Sequence, residues 1–281
     1  KKLPLTFVIP IKIDTDDRRR NFDVVMNYLL HHFDCPIIVK EADVKCNLKT
    51  HPLTNHERVT YMFEKLNEGE PFRRTTYINE MVDACNTTCF ANYDIDVLFN
   101  PNTIESAVNK IISDTADVVY PFGDMEQDQV RFWSKPEDVD ELISIIKDEE
   151  VTDKNLLLKM VESNLQEKIM SWSTRAGHCQ IFRKSTFMDG FMENENFISW
   201  GPEDAERLMR FKRLGYRVEH MPGEKLIHLE HKTSVDSGEE NPYFVRNENL
   251  LHHLNSLSDV EFKKYYEEVS YTKKYKSRNG D

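Results

Sequence analysis

The sequence has no excess of positive charge: 37 lysines and arginines stand against 49 aspartates and glutamates, for a formal net charge of −12. Nucleic-acid phosphates are bound by positive footprints, which excludes nucleic acid as the main partner. One small anionic ligand stays compatible if a metal neutralises it. No run approaches the ~18 apolar residues of a membrane span, and no basic-then-apolar signal segment opens the chain. The five cysteines (Cys35, Cys46, Cys85, Cys89 and Cys179) form no CxxC pair and no even framework. They read as reduced core thiols of a cytoplasmic protein, with disulfides in a secretory lumen as the alternative. Repeats and low-complexity segments are absent. What is present is a globular composition, 39% hydrophobic and 31% charged over 281 residues, enough for a sizeable core.

Along the chain, LTFVIPI is a continuous apolar run suited to a buried strand. DDRRRNFDVVMNYLLHHF then places Phe22, Val25, Met26, Leu29, Leu30 and Phe33 at helical spacing, and PIIVKEAD reads as a second strand. Strand, helix, strand favours a parallel sheet. RVTYMFE is a third strand, FRRTTYINEMVDAC a helix, TTCFANY a strand, PNTIESAVNKIISD a helix opened by proline, and DVVYPF a strand. Residues 124–170 are charged, and KPEDVDELISIIKDEE and KNLLLKMVESNLQEKIM are expected as two amphipathic helices of an insertion or lid. GHCQIFR is a strand, PEDAERLMRFKRLG a helix ended by Gly215, YRVEHMP and KLIHLEH are strands, and the end is a helix running into a basic tail. The expectation is one α/β domain over 1–281, with a mostly parallel central sheet flanked by helices.

The strand TTCFANY ends in two aspartates separated by one residue, Asp94 and Asp96. Asp14 and Glu41 also fall at carboxyl ends of strands, where open α/β sheets bind ligands, so all four are candidates for one cleft. Two residues apart on a strand, the aspartates are expected to point to the same side and face one ion. Mg2+ and Mn2+ take a few carboxylate oxygens together with substrate phosphates. A solvated loop is the competing reading. Further on, SWGPEDAERLMR sets Trp200 and Gly201 just before Glu203 and Asp204 at a helix N-terminus. Stabilisation of the helix dipole accounts for the acids but not for the aromatic. Aromatic faces stack on the C–H surfaces of sugar rings, and a carboxylate beside one is placed to take a proton from a sugar hydroxyl.

FRRTTYINEMVDACNTTCFANYDIDVLFNP resembles the donor-binding stretch of β-1,4-galactosyltransferases and related nucleotide-sugar glycosyltransferases of the GT-A fold. Phe72, Arg74 and Asn79 match an F-x-R…N element before a strand ending in DxD. WGPED resembles the WGGED acceptor motif, with Pro202 in place of the second glycine. KLIHLEHKTSVDSGEENP resembles the late histidine segment, and IPIKIDTDDRRRNFDVVMNYLL the opening P-F-R-x-R…L element with extra residues. The match to family 2 glycosyltransferases of the capsule-biosynthesis type is equally good. These blocks keep the family's order and cover most of the chain outside 124–170.

The resemblance implies a metal-dependent, inverting transfer of a hexose or N-acetylhexosamine from a UDP-sugar to a carbohydrate hydroxyl. Residues 1–100 would be the nucleotide-binding half, 101–235 the acceptor-binding half, and 236–281 C-terminal helices and tail. Asp96 would ligate Mn2+ or Mg2+, Asp94 would contact the donor ribose or a metal-bound water, and His228 would be the third metal position, with His231 as an alternative. Pro10 would shape the turn under the nucleotide and Glu41 would face the uracil. Arg18 (with Arg19 and Arg20 as rivals) and Arg74 would approach the diphosphate or ribose, positioned by Asn79. Trp200 and Gly201 would line the sugar pocket, Asp204 would be the catalytic base and Glu203 its helper. Pro202 and Ala205 depart from the galactosyltransferases and leave the sugar open. The acceptor would be a polysaccharide, a lipid-linked glycan or a glycoprotein glycan, with at most peripheral membrane contact. The alternatives are an inactive carbohydrate-binding relative, which would not require a base, and a sugar-nucleotide pyrophosphorylase, which would carry a glycine-rich loop where IPIKIDTDDRRR has no glycine.

Overall fold

The computed structural model describes residues 1–133, 135–148, 155–163, 165, 167–169 and 174–276. Strand β1 (Leu5–Ile11) is buried along its whole length, as its unbroken apolar sequence requires. Helix α1 (Asp16–His32) starts where the Thr15 hydroxyl accepts from the Arg18 amide at 3.1 Å, with Asp16 and Asp17 in its first turn. β2 (Ile37–Asp43), β3 (Val59–Lys65), α2 (Arg74–Asp83), β4 (Cys89–Tyr93) and the two-residue β5 (Val97–Leu98) follow. Pro101 opens α3 (Pro101–Ile112), whose missing amide falls where no helical partner exists. β6 (Val118–Tyr120), β7 (Gln129–Phe132), α4 (Val139–Lys147), α5 (Leu156–Glu162) and β8 (Glu167–Ile169) lead to β9 (Cys179–Arg183) and α6 (Lys184–Asp189). The chain continues through α7 (Glu203–Arg213), β10 (Val218–His220), β11 (Leu226–Leu229), α8 (Phe244–Ser256), α9 (Asp259–Glu268) and α10 (Ser270–Lys276). Gly215, at φ +87°, closes α7 in the left-handed region that glycine reaches without penalty.

The main sheet has seven strands in the order β10-β6-β9-β4-β1-β2-β3. β9 runs antiparallel to both β4 and β6, and the remaining pairs are parallel. A second sheet, β5-β11-β7-β8, packs beside it, with β11 antiparallel to β5 and parallel to β7. This small sheet brings the aspartate turn and the late histidines together: Val97 pairs with His228, and the Leu229 amide donates to the Asp96 carbonyl at 2.7 Å.

The helical reading of 124–170 is corrected in part. Val139–Lys147 is a helix, burying Leu142 and Ile146, and His32 Nε2 on α1 lies 2.9 Å from the Ile146 carbonyl. The second expected helix stops at Glu162, and Glu167–Ile169 is instead a strand antiparallel to β7. Periodicity cannot separate a short apolar strand from a helix segment, and the partner strand decides it. Residues 149–154, 164, 166 and 170, which that reading also covered, lie outside the described residues, as does the end of the basic tail, 277–281. A smaller apolar cluster of Phe191, Phe197, Leu254, Phe262 and Tyr266 seats α8 and α9 beneath α7. All five cysteines are free thiols, Cys46 exposed and the others buried. Among the described residues no helix is long and apolar enough to cross a membrane.

Candidate active site

A cleft of about 500 Å³ opens at the carboxyl ends of β1 and β4, bounded by the start of α7 and the end of β11. Pro10, Arg18, Arg74, Asp94, Asp96, Trp200, Glu203, Asp204, His228 and His231 all lie on its walls.

On one wall, one carboxylate and two imidazoles converge. Asp96 Oδ2 lies 3.0 Å from His231 Nε2, and Asp96 Oδ1 lies 3.8 Å from His228 Nε2. The three ligand atoms are all within 4.8 Å of one another, a possible metal-binding triad that takes in both histidines rather than choosing between them. Each imidazole turns Nε2 toward Asp96 and Nδ1 toward an oxygen, Glu230 Oε1 at 3.4 Å for His228 and the Lys232 carbonyl at 2.9 Å for His231. Metal-bound histidines are oriented in this way, their second nitrogen donating to a carboxylate or carbonyl. Among the described residues Asp96 Oδ1 is buried without a hydrogen-bond partner, an acceptor that a cation would satisfy. Burial opposes the charge on Asp96, but His228, His231 and Arg18 hold its carboxyl well below the usual range. Burial likewise opposes a charge on His231, and Asp96 overrides it to raise the imidazole above its ordinary value. Arg18 Nη1 is 3.4 Å from Asp96 Oδ2 and Arg18 Nε 3.6 Å from Asp14. Its rivals are elsewhere: Arg19 reaches the Asn47 carbonyl at 3.5 Å, and Arg20 pairs with Asp17.

Asp94 parts from Asp96. β4 ends at Tyr93, so both aspartates lie in the turn before β5 and lose the common facing of a continued strand. Asp94 pairs with Arg74 and is not one of the three residues that the triad brings together. Burial weakens the Arg74 charge, but Asp94, Asp204 and Glu203 more than offset this and raise its pKa.

The opposite wall is the N-terminus of α7. Ser199 and Gly201, at φ +65° and +57°, turn the chain tightly, and the Gly201–Pro202 peptide is cis. Trp200, 37% exposed, lies with its ring centroid 5.5 Å from that of Phe244. Gly201 is not on the cleft wall. Its positive φ serves the turn, and a Cβ there would lie 3.7 Å from the Phe244 ring. The Asp204 side chain is 38% exposed, and its Oδ1 accepts from Arg207 Nη2 at 2.5 Å. Glu203 is buried, and burial together with the neighbouring Asp204 carboxylate pushes its own carboxyl up to about 8.

Two expected donor-site residues fall outside the cleft. Glu41 is fully buried, with Oε1 accepting from the Asn47 amide and side chain at 2.9 Å and Oε2 from the Leu48 amide at 3.0 Å and from Tyr61. It ties down the loop after β2 rather than facing a base. Asn79 donates to the Glu193 carbonyl and to Glu195, both at 3.0 Å, and accepts from the Glu193 amide at 2.8 Å. It fixes the segment below α7 instead of positioning Arg18 or Arg74.

The sequence reading missed His178, Arg131 and Glu230 on the cleft wall. Arg131 Nε lies 2.8 Å from Glu230 Oε1 across the parallel β7/β11 pair, a juxtaposition created by strand pairing alone. His178 precedes β9 at φ +69°, and burial pushes its imidazole down to about 4.

No family model and no curated protein matches this sequence. Among solved structures, the mannosyltransferase PcManGT from Pyrobaculum calidifontis, in complex with GDP-Man and Mn2+, aligns with a TM-score of 0.45 at 14% identity over 82% of this chain and 57% of its own. S. aureus TarS 1–349 aligns with a TM-score of 0.51 at 11% identity over 92% of this chain and 68% of its own. The same protein in complex with UDP-GlcNAc aligns at 0.54 and 12% identity, over 92% and 69%. At such identities the likeness is one of architecture: this chain shares with TarS a mixed, mostly parallel sheet flanked by helices.

Proposed function

We propose that this protein is an inverting glycosyltransferase that moves a hexose or N-acetylhexosamine from a UDP-sugar to a carbohydrate hydroxyl. One observation carries the reading: a single cleft has a carboxylate-imidazole metal triad on one wall and a partly exposed carboxylate, Asp204, on the other. Asp96, His228 and His231 would hold the ion, and two imidazoles in the donor set favour Mn2+ over Mg2+, which prefers oxygen ligands. When bound, the ion supplies Lewis-acid neutralisation of the departing diphosphate. Arg18 and Arg74 add fixed positive charge on the same side. Asp204 takes the proton from the acceptor hydroxyl as it attacks the anomeric carbon from the face opposite the diphosphate. Glu203, protonated at neutral pH, donates a hydrogen bond to acceptor or sugar. Trp200 offers an aromatic face to a pyranose ring.

The nucleoside is proposed to occupy the adjoining cavity of about 170 Å³, where Lys12, Val44 and Leu66 follow β1, β2 and β3. A polysaccharide, lipid-linked glycan or glycoprotein glycan serves as acceptor, in a cytoplasmic enzyme with at most peripheral membrane contact. Titration of UDP-, GDP- and CMP-sugars with Mn2+, and then with chelator, tests the reading. Metal-dependent binding of a UDP-sugar to the wild type, lost in Asp96→Ala, is the expected result. No binding of any nucleotide sugar would sink it.

A further inference from the structure

The two walls of the cleft meet through residues 177 and 178. The His178 carbonyl accepts from the Asp94 amide at 2.9 Å, tying this turn to the end of β4. A Cβ at Gly177 would lie 3.1 Å from Asp204 Oδ2, so the backbone here runs directly against the proposed base. The His178 ring centroid is 5.5 Å from that of His228, at an interplanar angle of 65°. The His178 side chain therefore lines the cleft beside the triad, one residue on from the backbone that faces Asp204.

Two features of His178 are costly for a residue with only a packing role. Its φ of +69° lies in the left-handed region, which glycine adopts freely and other residues enter uncommonly, histidine, asparagine and aspartate more than the rest. Its Nε2 is buried with no hydrogen-bond partner among the described residues, whereas buried polar atoms are ordinarily paired. Backbone strain and an unpaired polar atom at one position mark places where the surroundings hold a side chain for use.

We infer that His178 is a specificity-determining residue that hydrogen-bonds a hydroxyl of the transferred sugar. The inference rests on the transferase reading above. In that reading the anomeric carbon lies between a diphosphate at the triad and an acceptor at Asp204, and the imidazole borders that space. A neutral imidazole offers one donor and one acceptor, which matches a sugar hydroxyl and discriminates the epimer whose hydroxyl points away.

Calorimetric titration with Mn2+ present separates the possibilities. Wild type, His178→Gly and His178→Asn are each titrated with UDP alone, UDP-glucose, UDP-galactose and their N-acetyl counterparts. Glycine and asparagine both tolerate the left-handed backbone, so each variant keeps the turn. The expected result is UDP affinity within about twofold of wild type, about tenfold weaker binding of the preferred UDP-sugar, and loss of the preference between epimers. Variants that keep the wild-type gain from the sugar and the wild-type preference would overturn the assignment while leaving the transferase reading intact. Equal weakening of UDP and UDP-sugar would place His178 at the diphosphate and overturn it too. Failure of every UDP-sugar to bind the wild type would overturn both.

Discussion

The fully buried guanidinium of Arg207 holds Asp204 Oδ1 and Glu193 Oε1, each at 2.5 Å, so the proposed base is anchored from inside the protein. Truncating Arg207 leaves Glu193 buried without its partner. Arg207→Ala is expected to lose about 3–5 kcal/mol in denaturant unfolding. Adding Glu193→Gln should recover part of the loss, because the orphaned charge is then gone. No recovery in the double variant would mean that packing, not charge, dominates at this position.

Asp204→Asn keeps the shape of the side chain and removes the basic oxygen. Turnover should fall by ~10²–10⁴-fold while Mn2+-dependent donor binding stays near wild type. Single-turnover rates alongside donor titration distinguish the two. Loss of donor binding together with turnover would place Asp204 at the donor rather than at the acceptor.

Glu203 gives a pH signature. Its folded-state pKa, near 8, is raised from an ordinary 4.5, so between these values the folded protein binds the proton that the unfolded chain releases. Stability from this group is therefore present at low pH and falls as pH rises from about 4.5 through 8. Glu203→Gln removes the titration. The variant's melting temperature relative to wild type should be higher at pH 8.5 than at pH 5.5. A difference independent of pH would show that the carboxyl titrates normally.

Metal affinity should depend on Glu230 although it is outside the triad, because its Oε1 lies 3.4 Å from His228 Nδ1. Glu230→Ala is expected to weaken Mn2+ binding by ~10–100-fold, with a larger loss in His231→Ala. Titration of Mn2+ into nucleotide-free protein reads this without any reaction. Unchanged affinity in His231→Ala would leave only Asp96 and His228 as ligands.

Continuous apolar runs such as LTFVIPI and helical periodicities such as that of α1 made the main sheet and its helices legible, since both depend on residues adjacent in sequence. Most of the cleft was legible too, because strand ends and a helix N-terminus after an aromatic are local signals. What escaped depends on pairing across the chain. The two-residue β5 has no pattern of its own, yet its pairing sets the preceding Asp96 against β11. Glu41 lies near the end of β2, where a ligand-binding acid is expected, but the strand runs on to Asp43 and loop amides that arrive later in the chain occupy its oxygens. A lone left-handed histidine such as His178 leaves no periodic trace at all.

The position of β9 has a consequence for the order of folding. It lies between β4 and β6, antiparallel to both, although it follows them in the chain by more than one intervening helix and strand. During synthesis, β4 would wait with an open edge until Cys179–Arg183 emerged, and early docking of β6 in that slot would be a misassembly to be undone. Residues 1–100 alone would present the same unpaired edge. The part of the chain that closes the sheet also carries Gly177 and His178 to the cleft, so the site is completed in the same late, long-range step as the core.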